Sequence, residues 1–409
     1  MKTNLRKLLL IPSLFVLASC SNSPARGGYV KDGGYPADYG GDPKGEDVDD
    51  YDPTKDEGDE NGKPKRAGLL TCSALDDNKE YDFWKEINSD NSNDSPLKEF
   101  HKSVGKDFNT FNRVKLTVNN ANDVSVTLKD DDTTFYVDNT HIAYLFPSDN
   151  KEEYDVTISY LDKDGVRQSR DTKVKNNDEI DLENNFTLSD KLEVMFVIDT
   201  TGSMDDELRY IQKEIYDVIA KVQTENANAD INLAMMVYRD IGDEYVTKYS
   251  DWQKDVKVQQ NFLSKQSANG GGDFEEAVDQ ALTEAIDKQW STNSTKLLFH
   301  VADAPAHDKD AEKWAKATYE AARKGIKIIS IAASGIDKKT EYFFRSQSIL
   351  TSGQYVFLTD DSGIGNAHEK PTIKEELVVE YLNNCLIRLI DGYHKGVFAE
   401  PIPYTQANR

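Results

Sequence analysis

Positions 192–198 read Leu-Glu-Val-Met-Phe-Val-Ile and end at Asp199-Thr200-Thr201-Gly202-Ser203. A near-continuous apolar run this short suits a strand buried on both faces, as in a parallel sheet. Beyond the loop, Leu208, Ile211, Ile215, Val218, Ile219 and Val222 recur at helical spacing along one face. Strand, polar loop and amphipathic helix follow one another, and that order commits the second half of the chain to an α/β fold. The loop carries an Asp and two hydroxyls at its first, third and fifth positions. Oxygen ligands so placed converge on one point, as a hard divalent cation requires.

The same alternation continues to about residue 395. Further strands are expected at 231–238, 297–301, 326–332 and 355–358, and helices near 275–288, 310–324, 341–350 and 373–393. The spacing predicts a doubly wound, mostly parallel sheet over 191–395. Such sheets bind ligands beyond the carboxyl ends of their strands, where the strand order reverses. Asp303 ends one apolar run, and Asp273 closes Asn269-Gly270-Gly271-Gly272-Asp273 just before a helix. Asp199, Thr201, Ser203, Asp273 and Asp303 are therefore the candidate metal residues. His300 lies inside an apolar strand and reads as a core histidine. His307 either flanks the site or is an incidental surface residue. Tyr238-Arg239-Asp240 and Asp243 end the second strand and are placed at the rim.

Upstream the pattern changes. Four β-rich stretches at 114–118, 124–128, 141–146 and 154–160, with a hairpin turn at Asp162-Lys163-Asp164-Gly165, predict a small antiparallel β-sandwich over 108–188. It resembles immunoglobulin-like or carboxypeptidase-regulatory-like domains. Residues 67–107 form a junction whose few apolar residues are expected to dock on the next domain, and 396–409 form a tail. Residues 21–66 are Gly-, Asp- and Glu-rich and are expected to be a flexible, self-repelling spacer. At the start, Lys2, Arg6 and Lys7 precede an apolar core at 8–18, too short to span a bilayer. Leu17-Ala18-Ser19-Cys20 resembles a bacterial lipobox. That resemblance implies a signal peptide over 1–20 and acylation of Cys20, holding the protein at a membrane outside the cytoplasm. That compartment permits a Cys72–Cys385 disulfide, with two unpaired thiols as the other reading. A net charge of −24 argues against nucleic acid and against lying flat on an anionic membrane.

The second half resembles the von Willebrand factor type A family and its metal-ion-dependent adhesion site. The family pattern is Asp-x-Ser-x-Ser, a later Thr and a later Asp. Asp199-Thr200-Thr201-Gly202-Ser203 matches the first part, with Thr201 keeping the hydroxyl, and Asp303 matches the last. Gly270-Gly271-Gly272-Asp273 departs from it, with Asp where the family has Thr. The resemblance implies a bound cation, with Mg2+ the best match and Mn2+ or Ca2+ as alternatives. Neutral hydroxyls leave that cation open to a carboxylate from a protein ligand. Asp273 either binds it directly, which lowers its appetite for an outside acid, or holds a water. The function implied is a lipid-anchored extracytoplasmic adhesion protein and not an enzyme. Two other classes are an envelope-assembly scaffold with a structural metal and a metal-dependent hydrolase. A haloacid-dehalogenase-type phosphatase needs a second Asp where Thr201 stands, and a hydrolase elbow sets its Ser between glycines, whereas Met204-Asp205 follows Ser203 with no glycine.

Overall fold

The computed structural model describes residues 67–89, 96–105 and 108–407. The expected signal peptide, Cys20 and the acidic spacer lie outside the described residues. Strand β1 (Thr71–Leu75) and helices α1 (Tyr81–Ile87) and α2 (Pro96–Val104) come first. Seven strands follow: β2 (Val114–Asn119), β3 (Asn122–Leu128), β4 (Thr133–Tyr136), β5 (Ile142–Leu145), β6 (Tyr154–Leu161), β7 (Arg167–Val174) and β8 (Asp178–Asp181). Then come β9 (Lys191–Asp199), α3 (Leu208–Glu225), β10 (Asp230–Tyr238), β11 (Thr247–Gln253), α4 (Val256–Ser264), α5 (Val278–Ile286) and β12 (Thr295–Ala302). The last elements are α6 (Ala311–Arg323), β13 (Ile326–Ala332), α7 (Lys338–Leu350), β14 (Tyr355–Leu358), β15 (Glu380–Tyr381) and α8 (Leu382–Lys395).

One eight-stranded sheet has the order β11-β10-β9-β12-β13-β14-β1-β15. The five strands from β10 to β14 in that order run parallel. Strand β11 pairs antiparallel with β10 at one edge, and β1 pairs antiparallel with both β14 and β15. The expected mostly parallel α/β sheet is what forms. From β9 the chain winds outward to β10, and from β12 it winds the other way to β13. The order therefore reverses between β9 and β12, which places a crevice at their carboxyl ends.

Alternation along the strands explains the double winding. In β9, Val194, Phe196 and Ile198 join one apolar cluster with α3 and α8. Met195 and Val197 join the other, with α5, α6 and α7. Each fully buried Leu, Ile, Val or Phe on these faces contributes about 1.5–3 kcal/mol. Glu193 interrupts the run yet is buried, because its carboxylate accepts from the Ser291 amide and from the hydroxyls of Ser291 and Ser294. A buried charge is tolerated only with such partners.

The upstream strands form a three-stranded sheet, β5-β2-β8, and a four-stranded sheet, β4-β3-β6-β7. All these pairs are antiparallel except β2–β8, which is parallel. Gly165 donates to the Asp162 carbonyl at 3.0 Å in the β6–β7 turn. Val126 and Ile158 of this sandwich belong to the same apolar cluster as α5, α6 and α7.

Several elements depart from expectation, among them the unforeseen strands β4 and β8, the latter pairing parallel with β2 in a sandwich expected to be antiparallel. Strand β7 reads Arg-Gln-Ser-Arg-Asp-Thr-Lys-Val and is almost wholly exposed, so no apolar alternation marks it. Strand β11 and helix α4 lie at the edge, with the strand only half-buried. The last helix starts at Leu382 rather than near 373, because residues 380–381 are held extended in pairing with β1. Cys72 on β1 and Cys385 on α8 are neighbours, both buried and both free thiols. Burial pushes the Cys72 thiol up.

Candidate metal centre

Three loops meet at the crevice. Asp199 ends β9, and register pairs it with Tyr238 at the end of β10. The Thr200 amide donates to the Tyr238 carbonyl at 2.9 Å. Asn269 donates to the Thr200 carbonyl at 3.0 Å, and Gly202 donates to the Gly270 carbonyl at 3.1 Å. The Glu276 amide donates to the Pro305 carbonyl at 3.0 Å, where Glu276 and Ala306 form a short parallel bridge. Arg239 reinforces the junction, donating to the Thr200 carbonyl at 3.1 Å and the Ser267 carbonyl at 2.9 Å. Backbone bonding thus sews loops 199–203, 269–276 and 303–307 into one floor.

The glycines make this floor possible. Gly270 and Gly271 have φ of +81° and +74°. A Cβ on Gly270 would run into the Asp243 carboxylate, and one on Gly271 would lie 2.9 Å from Glu276 Oε1. Asp243 accepts from the Gly271 amide at 2.9 Å and so holds the turn.

Four of the expected residues come together on this floor. Asp199 is fully buried, and its Oδ1 accepts from the Thr201 amide at 2.8 Å and the Thr201 hydroxyl at 2.7 Å. The Thr201 and Ser203 hydroxyls are 3.3 Å apart, and Ser203 is exposed at the mouth. Asp303 is 4% exposed, and the Ser203 hydroxyl beside it favours its charged form. The fifth, Asp273, is exposed; its carboxylate groups with Asp240 and His307, all within 4.8 Å of one another.

Glu276, three residues on, is a further acid of this floor that the motif pattern does not announce. It is 2% exposed. Asp199 Oδ2, Asp303 Oδ1 and Glu276 Oε2 are all buried without a hydrogen-bond partner among the described residues. Burial first, and then the charge of Asp303, raises the Asp199 carboxyl. Burial also raises Asp303. Burial, and then the charges of Asp199 and Asp240, pushes Glu276 up to about 9. Buried carboxylates with orphaned oxygens are costly. A divalent cation removes that cost by supplying both the missing charge and the missing partners. The donor set is two hydroxyls and carboxylate oxygens, which fits a hard cation.

Beneath the site a polar thread enters the core. The Tyr238 hydroxyl stands beside Asp199 and favours its ionised form. The same hydroxyl lies 3.1 Å from His300 Nε2, and His300 Nδ1 lies 2.8 Å from Gln347 Nε2. Gln347 Oε1 accepts from the Trp314 indole at 3.1 Å. His300 is fully buried, and burial lowers it to about 3, so it is a neutral core histidine as its surroundings in the sequence indicate. His307 is not an incidental surface residue; it is 7% exposed and flanks the site.

The region around this floor is similar to known proteins. The sequence model described as von Willebrand factor A domain matches residues 193–366, somewhat less than half of the chain. The alpha-protein kinase vwkA of Dictyostelium discoideum is 25% identical over 231 residues, 56% of this chain and 36% of the kinase. A putative ariadne-like RING finger protein of Acanthamoeba polyphaga mimivirus is 30% identical over 118 residues, 29% of this chain and 11% of that protein. The chain thus spans only about a third of the first relative and about a tenth of the second. Among solved structures, the conserved hypothetical protein BatB from Bacteroides thetaiotaomicron is 15% identical, covering 41% of this chain and 89% of that one, with a TM-score of 0.32. An aerotolerance-related membrane protein from Bacteroides fragilis is 14% identical, covering 52% and 92%, with a TM-score of 0.28. No helix among the described residues is long and apolar enough to cross a membrane.

Proposed function

We propose that this chain is a lipid-anchored, extracytoplasmic binding protein whose von Willebrand factor A domain captures a protein ligand through a divalent cation. The carrying observation is the set of buried, unpaired oxygens on Asp199, Asp303 and Glu276 around the exposed Ser203 hydroxyl. Asp199, Thr201, Ser203 and Asp303, with Glu276, would hold the cation. When bound, it supplies an electrophilic position for a carboxylate of the partner. Mg2+ is the first choice, because hydroxyls, carboxylates and water make up its octahedral shell.

Ile241 and Phe274 lie on the loops beside the site and are 49% and 45% exposed. Apolar side chains around a charged point suit the surface of a protein ligand. The site binds without turnover in this reading, with Thr201 standing where a phosphatase loop of this kind carries its general acid. The lipobox-like Leu17-Ala18-Ser19-Cys20 supports the anchor.

Calorimetric titration of the chelator-stripped full chain with Mg2+ tests the site. One saturable equivalent is expected, lost in Asp199→Ala/Ser203→Ala with the far-UV circular dichroism unchanged. Equal Mg2+ affinity in the double variant overturns the assignment. For the anchor, Cys20→Ser is expected to move the protein from the membrane to the soluble fraction or leave it unprocessed. Retention of processed protein at the membrane removes the lipid from the reading.

A further inference from the structure

The loops that build the floor also assemble a second set of donors. Asp240 follows β10, Asp273 closes the glycine loop and His307 follows β12. One donor atom from each lies within 4.8 Å of the other two. His307 Nε2 is 2.8 Å from Asp240 Oδ1, and its Nδ1 is 3.6 Å from Glu275 Oε2. The ring is buried, Asp240 is half-buried and Asp273 is exposed, so the group forms a cup with one open side. The nearby Lys339 ammonium is taken up by Glu275, at 3.1 Å, and by Asp308.

We propose that Asp240, Asp273 and His307 bind a second divalent cation, of the imidazole-accepting class that includes Zn2+ and Mn2+. Imidazole with two carboxylates suits such metals, whereas Mg2+ and Ca2+ prefer oxygen alone. Metal–nitrogen and metal–oxygen bonds near ~2.1 Å place neighbouring donors roughly 3–3.5 Å apart. At 2.8 Å the Asp240–His307 pair is a hydrogen bond, which opens by a few tenths of an ångström when an ion takes the place of the shared proton. Rotation of the exposed Asp273 side chain closes the remainder. Glu275 lies 3.6 Å from the other ring nitrogen, near enough for its charge to favour a metal-bound imidazole but too far for a hydrogen bond. Three protein donors leave coordination positions for water or for a group on a bound partner. Asp273 thereby belongs to this second ion, and Glu276 stands between the two sets, feeling Asp199 and Asp303 on one side and Asp240 and Asp243 on the other.

The experiment is a Zn2+ titration of the chelator-stripped full chain, with Co2+ as a spectroscopic probe of nitrogen ligation. The wild-type chain and Asp199→Ala/Ser203→Ala are each expected to take up one equivalent of Zn2+ at the His307 cup. His307→Gln is expected to lose it and the cobalt visible band while keeping its Mg2+ equivalent. Asp273→Asn, at an exposed position, is expected to weaken Zn2+ by at least about tenfold with the far-UV circular dichroism unchanged. Zn2+ binding that is absent from the wild type, or unchanged in both His307→Gln and Asp273→Asn, overturns the proposal. Zn2+ binding at the cup with no Mg2+ binding at Asp199 sinks the Proposed function and leaves this second site standing.

Discussion

At the scale of single residues the candidate site is a matter of which atoms tolerate burial. Asp199 and Asp303 stand out in the sequence because each ends an apolar run. Glu276 does not, since an acid in the first turn before a helix is ordinary; only its burial beside Asp199 marks it. Gly270 is the residue most exposed to substitution. Its left-handed backbone and the Asp243 carboxylate both exclude a side chain, and its carbonyl accepts from Gly202. Gly270→Ala is expected to cost about 1–3 kcal/mol and to weaken Mg2+ binding. Gly272 has open space and no left-handed φ, so Gly272→Ala is expected to stay within about 0.5 kcal/mol. Urea midpoints for the two variants test the contrast; equal losses would refute the role given to Gly270.

At the scale of elements, the ends of the chain close around the sheet. Glu214 on α3 accepts from the amides of Gly68, Leu69 and Leu70, which guides β1 into place beside β14. A fragment starting at Lys191 would therefore lack a strand of its own sheet. The loop after β14 is tied to the turn at residues 202–206 by the Asp206 carboxylate, which accepts from the Asn366 amide at 2.7 Å. His368 adds a second tie, 2.6 Å from Glu207 and 2.8 Å from Asp360. Burial lowers its pKa, but the two carboxylates outweigh burial and raise it above 6.5. A histidine so raised adds stability that is complete below pH 6.5 and is lost as pH climbs through the raised value. His368→Gln is therefore expected to flatten the decline in urea stability above pH 6.5. An identical pH profile in the variant would show that this tie does not contribute.

At the scale of the whole described molecule, sandwich and sheet share a core. Asn139 donates to the Tyr393 and His394 carbonyls, and the Lys327 ammonium lies 3.3 Å from Asp138 with both side chains nearly buried. Removing one partner of a buried pair strands the other charge. Asp138→Ala is thus expected to cost about 3 kcal/mol, partly recovered in Asp138→Ala/Lys327→Met; chemical denaturation with no loss would refute that interface. The sequence by itself determined the α/β class, the buried strands β9, β10, β12, β13 and β14, the amphipathic face of α3 and the hydroxyl loop after β9. These are local signals, because burial on two faces leaves apolar runs and a metal loop needs closely spaced oxygens. Tertiary structure alone decided the rest. It inserted β1 from the junction into the sheet and extended residues 380–381 where helix was expected. It also joined the sandwich core to one sheet face and grouped Asp273 with Asp240 and His307. Each of those outcomes depends on contacts between residues far apart in the chain, and no local pattern of polarity records them.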